Sequence, residues 1–363
     1  MRILPLALAS LLLMTLPSCG APPGKGAQDL PGQARLIHEL FVGHYHPNWQ
    51  GAYGLIGQSY LYRVTKDERY LDFATKRNSL CALEIGGWVD DTAWVCLAAM
   101  QWWDATGRKN ADWVADVRKK YETRRAEGLI AHHEGYWTWY ADKGRKDFSN
   151  ENMNQMVTVA CWLYDATREK RYLDDALLVW NGNAEAPGIE KRLYRGNGRW
   201  QGKPGVMEAG AELPFIGAGY LSVGAALYRA TGDPKYKRIV VDTAHFILDP
   251  ANGWVDGENY YQKTMDGSGA VVGFLMDGYG AAPEEMADVL EKCKTTLDHV
   301  WTNGHGRAKV VLHDPSTHAI RHGWNPEGGE RGMAANEIGK TMSQGCALWA
   351  WGSVAYQESR RAK

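Results

Sequence analysis

The sequence has almost no net charge: 41 Lys and Arg stand against 42 Asp and Glu, a formal balance of -1. A nucleic-acid binder needs a basic surplus to build its face, so nucleic acid is not an expected partner. Disorder and a multi-spanning membrane protein are excluded as well, because 45% apolar and 23% charged residues is the balance of a globular chain with a large core. Cysteine is scarce, six residues with no CxxC spacing, and no zinc site is expected. Histidine is scattered at His44, His46, His132, His133, His313, His318 and His322 without HExxH spacing, which predicts surface or loop positions and no metal. Phosphate-binding glycine loops are missing too. Gly267-Ser-Gly269-Ala-Val-Val-Gly273 misses the dinucleotide pattern by one residue, and Gly339-Lys340-Thr341 has Ala334 where a phosphate loop needs glycine. No cofactor is expected. Ser59, Ser222 and Ser343 lie in no GxSxG elbow, so a serine triad has no support. Phenylalanine is the last shortage, six residues against 16 Trp and 18 Tyr, so the aromatic content lies in rings with a polar handle that can stack on ligands.

The N-terminus reads as a processed segment. Arg2 supplies a positive start, and Leu4 to Leu16 is apolar but too short to span a bilayer, so residues 1–18 are expected to be an export signal. Leu16-Pro17-Ser18-Cys19-Gly20 is similar to a bacterial lipobox, with Pro17 an atypical member. Cys19 would then be the lipidated first residue of a periplasmic, outer-membrane or cell-surface lipoprotein. Residues 19–32, rich in Gly and Pro, form an expected flexible tether, and residues 33–363 one domain, expected to be a monomer. The five remaining cysteines, Cys81, Cys96, Cys161, Cys293 and Cys346, allow at most two disulfides and read mainly as buried small hydrophobes.

Within the domain an echo recurs: Tyr62-Arg-Val-Thr65, Trp103-Asp-Ala-Thr106, Tyr164-Asp-Ala-Thr167 and Tyr228-Arg-Ala-Thr231. Three of the four lead into a basic residue and Tyr, at Arg69-Tyr70, Arg171-Tyr172 and Lys235-Tyr236, as a repeated helix, tight turn, helix unit would. Periodicity and breakers predict about twelve helices, near 31–45, 50–66, 69–84, 90–106, 110–125, 151–167, 170–184, 213–231, 235–248, 267–280, 283–301 and 334–358. One set carries charge-free runs, such as Tyr53 to Tyr62 and Trp94 to Trp103, and is expected to be buried all round. The other, such as Ala111 to Ala126, interleaves charge with apolar residues and reads as one-sided surface helices. Six buried helices alternating with six amphipathic ones predict an all-α fold, the (α/α)6 barrel of six helical hairpins in inner and outer rings. A superhelical solenoid is the competing topology. Three long connectors, Gly128 to Asn150, Pro187 to Met207 and Thr302 to Met333, have the length of site-forming loops.

The chemistry is most concentrated at Gly86-Gly87-Trp88-Val89-Asp90-Asp91-Thr92-Ala93-Trp94, where two adjacent acids meet the start of a buried helix. Two carboxyl groups about 5–5.5 Å apart are what a retaining glycosidase uses, one as nucleophile and one as acid/base. The competing role is helix capping, which needs only one acid. Two partly buried acids so close do not ionise together easily, so one pKa is expected to rise. Trp88, Trp94, Tyr136, Trp137, Trp139, Trp254, Trp324 and Tyr260 are candidate sugar-stacking rings with core packing as the alternative, and Asn152 and Asn154 are candidate hydroxyl binders or caps. Asp256 and Glu258 read as turn residues.

Trp88-x-Asp90-Asp91-x-x-Trp94, the helix ending Trp103-Asp104-Ala105-Thr106-Gly107, the strip Gly135-Tyr136-Trp137-Thr138-Trp139 and the Asn-bearing segment 152–167 together resemble glycoside hydrolase family 76, the endo-α-1,6-mannanase family of (α/α)6 barrels. The resemblance covers most of the mature chain, although only the Asp-Asp segment is specific. It implies hydrolysis of α-mannan or a related polysaccharide with retention, with Asp90 as nucleophile and Asp91 as acid/base. The chain departs from the family at Glu208-Ala-Gly-Ala-Glu212-Leu-Pro214, where the family usually has an Asn-Gln pair. That departure keeps open a barrel hydrolase of another glycan or a glycan-binding lipoprotein without catalysis.

Overall fold

A computed structural model describes residues 28–77, 80, 87–128, 150–184, 187–200, 214–258, 267–328 and 337–362. Among these the only regular structure is helical. The helices are α1 (Leu30–Gly43), α2 (Trp49–Thr65), α3 (Glu68–Asp72), α4 (Val89–Ala105), α5 (Ala111–Gly128), α6 (Asn150–Thr167), α7 (Lys170–Asn181), α8 (Ile189–Leu193), α9 (Pro214–Thr231), α10 (Pro234–Ile247), α11 (Ser268–Tyr279), α12 (Ala287–Trp301) and α13 (Glu337–Arg361). The expected helix at 69–84 is shorter than its pattern: α3 ends at Asp72 and passes into a π turn at Phe73–Arg77.

The repeated turn has a common mechanism. The threonine ending each echo donates its hydroxyl to the carbonyl four residues back: Thr65 to Leu61 (2.9 Å), Thr106 to Trp102 (2.9 Å), Thr167 to Leu163 (2.7 Å) and Thr231 to Leu227 (2.7 Å). In three of them the same hydroxyl accepts the N–H two residues on, at Asp67, Glu169 and Asp233, which turns the chain. The residue after each threonine is left-handed, at Lys66, Gly107, Arg168 and Gly232. Asp67 and Asp233 then cap the next helix by accepting from Arg69 N and Lys235 N. Tyr70, Tyr172 and Tyr236 anchor those outer helices with almost no exposed surface.

Six of the helices form a ring: α2, α4, α6, α9, α11 and α13 each pack on the next, and α13 packs back on α2. The outer layer is α1, α3, α5, α7, α10 and α12, each against the inner helix beside it in the chain. This is the predicted (α/α)6 barrel, closed rather than solenoidal. Each outer helix returns the chain, so the inner helices run in the same direction, with their N-termini at one mouth and the tight turns at the other. At the α13 seam the backbones nearly touch: a Cβ on Gly57 would meet Trp349 N at 2.5 Å, and one on Gly269 would meet Cys346 O at 2.4 Å. Cys96, Cys161, Cys293 and Cys346 are buried thiols, and burial pushes the Cys161 thiol up to about 12, so they act as packing groups. No described helix is long and apolar enough to cross a membrane.

Candidate active site

Asp90 and Asp91 fall in the first turn of α4, at the N-terminal mouth of the barrel. Neither caps the helix. The N-cap is Trp88, which makes no side-chain capping bond, and the acids occupy the second and third helical positions. Capping therefore does not account for the pair.

Their surroundings differ. Asp90 is half-buried, whereas Asp91 keeps only 9% of its surface. Burial first, then the charge of Asp90, pushes the Asp91 carboxyl up to about 7, against an opposing pull from Arg124. The first turn is held down from below: Arg124 of α5 donates through Nε to Thr92 Oγ1 (2.9 Å), and the Thr92 hydroxyl donates to Trp88 O (3.1 Å). Arg124 was not among the residues singled out from the sequence, yet a signal exists. Trp113, Val117, Tyr121 and Arg124 form one buried stripe at helical spacing, and Arg124 continues it with a charge.

Trp88 is 37% exposed beside the acids and is available to a ligand. Trp94 is corrected to a core residue: it has no exposed surface and packs one turn deeper against Tyr53 (ring centroids 4.3 Å), Phe274 (6.0 Å) and Trp349 (6.1 Å). These four rings plug the barrel and floor the mouth. Trp254 is corrected likewise, being buried edge-on against Phe246 of α10 (5.5 Å). Trp324 is also core, against Trp351. Tyr136, Trp137, Cys19 and the segment 208–213 lie outside the described residues, as do the side chains of Asn152 and Asn154 in the first turns of α6.

Two of the histidines expected at the surface or in loops do lie in a loop, the 302–328 connector, but are buried there. His313 stacks on Trp301 (3.9 Å), and His322 Nε2 accepts from Gly267 N (3.0 Å) while its Nδ1 lies 3.1 Å from Ser343 Oγ. That arrangement ties the 302–328 connector to the N-terminal ends of α11 and α13, at the same mouth as the acids. Asp256 takes the expected turn role, accepting from Glu258 N (2.8 Å). Among the described residues no group of three or more His, Cys, Asp or Glu side chains is arranged to hold a metal.

The fold and site define a closed helical barrel with two unequal carboxyl groups at one mouth. No protein-family model matches the chain, and no curated protein matches it by sequence. Solved structures do. The GH76A α-1,6-mannanase from Salegentibacter sp. HEL1_6 has a TM-score of 0.65 at 15% identity, over 90% of this chain and 100% of that one. A variant of that mannanase in complex with α-1,6-mannotetrose is described as inactive and carries alanine at two consecutive aspartates. The Lin0763 protein from Listeria innocua has a TM-score of 0.70 at 16% identity, over 92% of this chain and 99% of that one. A polysaccharide lyase reaches 0.55 at 13% identity, over 92% and 99%. At such identities the likeness establishes the shared barrel fold.

Proposed function

We propose that this chain is a retaining glycoside hydrolase acting on α-1,6-linked mannan or a closely related polysaccharide. The observation that carries the reading is the inequality of the acid pair: Asp91 is buried, which with the charge of Asp90 pushes its carboxyl up to about 7, while Asp90 is more open. A retaining mechanism needs that division. Asp90 attacks the anomeric carbon as the glycosidic C–O bond breaks, and Asp91 gives its proton to the leaving oxygen. Water then displaces Asp90 from the glycosyl ester, with Asp91 taking the water's proton. The inactive mannanase variant altered at two consecutive aspartates supports this assignment, as does its complex with α-1,6-mannotetrose. The export signal and the lipidated Cys19 belong to the same reading, since a polysaccharide is met outside the cytoplasm; their support is the sequence of residues 1–20.

The test is release of reducing ends from α-1,6-mannan by the wild type, Asp90→Ala and Asp91→Ala, with the first product's anomeric configuration read by NMR. Loss of turnover in both variants and a retained configuration are expected. Azide added to Asp90→Ala should yield the glycosyl azide of inverted configuration. Undiminished turnover in either variant removes the assignment. The lyase among the structural neighbours favours one alternative, elimination at a uronic acid. Unsaturated products from a uronide polymer, with none from mannan, would establish it instead.

A further inference from the structure

The opposite mouth, where the inner helices end in their tight turns, holds a cavity of about 370 Å3. All six inner helices line it, from Tyr60 and Arg63 on α2 round to Gln357 and Arg360 on α13. It is separate from the acid pair. On α4 its lining begins at Gln101, ten residues past Asp91 and so about 15 Å further along the axis, with the Trp94 plug between.

The acids of this cavity already have partners. Asp277 is half-buried, accepts from the Tyr60 hydroxyl and accepts from Ser222 Oγ (2.6 Å). Asp104 pairs with Arg63 (3.0 Å) and Arg108 (2.9 Å). Two guanidinium groups remain without an ion pair among the described residues. Arg229 lies over the Trp162 ring at 4.1 Å, and Arg360 reaches only the Gln357 amide oxygen (3.5 Å) and the Tyr356 ring (5.7 Å). Burial raises the Asp277 pKa, which weakens the charge that this acid presents to Arg229. The negative ends of six helices favour cations at this mouth, but they do not account for an open space lined by hydroxyls, amides and aromatic faces. That lining suits a sugar-sized body, and guanidinium groups suit carboxylate or phosphate.

We propose that this cavity binds a small hydroxyl-bearing anion, a carboxylate or phosphate, with Arg229 and Arg360 taking its charge. The test is calorimetry on the full chain with glucuronate, inorganic phosphate and neutral glucose. Saturable binding of one or both anions, and none of glucose, is expected; whichever anion binds names the charged group. Arg229→Gln and Arg360→Gln should each weaken that binding about tenfold, the effect of one charge-assisted hydrogen bond. Arg229 and Arg360 are both solvent-exposed, so both variants are expected to fold. No saturable binding of either anion, equal binding of glucose, or undiminished binding by a folded Arg360→Gln protein overturns the proposal.

Discussion

Asp90 and Asp91 are neighbours in the chain, yet the roughly 100° between successive residues around the helix axis gives them different solvent and so different chemistry. If Asp91 is the acid, only its protonated form is competent, and that fraction falls as pH rises through about 7. Hydrolysis should therefore lose rate above neutrality, as a kcat/KM profile against pH would show. Arg124 lowers the Asp91 pKa, so Arg124→Met should shift that descending limb to higher pH. An unmoved limb would separate Arg124 from the acid. The two tryptophans flanking the pair should divide in the same way. Trp94→Ala empties the plug and should destabilise the protein by about 3–5 kcal/mol in denaturant titration. Trp88→Ala should leave the melting temperature nearly unchanged and raise KM. The sequence showed both rings beside the acids but not which was open, because α4 is apolar all round and carries no sign of its register. Arg124 was missed for the converse reason: a charge on a helix of mixed character reads as solvated unless its stripe is followed to the end.

At the scale of the element, the tight turns were the most legible part of the chain. Threonine, a left-handed residue and an acid cap leave a local signature, and the turns at Thr65 and Thr231 repeat it hydrogen bond for hydrogen bond. Helix–helix contact leaves none. Gly57 and Gly269 stand in glycine-rich, charge-free runs of α2 and α11, where nothing local says which glycine faces a neighbour's backbone. Gly57→Ala should destabilise by about 1–3 kcal/mol because the atoms it meets belong to the α13 backbone and cannot rotate away. Gly43→Ala, with nothing within 4 Å, should instead stabilise α1 by up to about 1 kcal/mol. Chemical denaturation of the two variants side by side checks the contrast. The π turn after α3 also escaped prediction, since its apolar spacing continues the helical pattern across the break.

For the whole molecule, six pairs of helices implied a closed ring, but the closing contact itself, α13 against α2 and α1, joins the two ends of the chain and has no local trace. Trp351 Nε1 donates to Gln33 Oε1 (2.8 Å) across that junction. A chain ending at residue 336 should therefore lack a cooperative melt and near-ultraviolet dichroism, even though five of the inner helices remain. A cooperative transition in the truncated chain would show that an open arc is stable alone. The same junction fixes when folding can finish. The inner helices α2 and α11 lack one ring neighbour until α13 has left the ribosome, so synthesis from the N-terminus yields no finished barrel before that point. For a chain exported as proposed above, that delay is useful: the polypeptide remains threadable until α13 arrives, and the ring can lock once it is across.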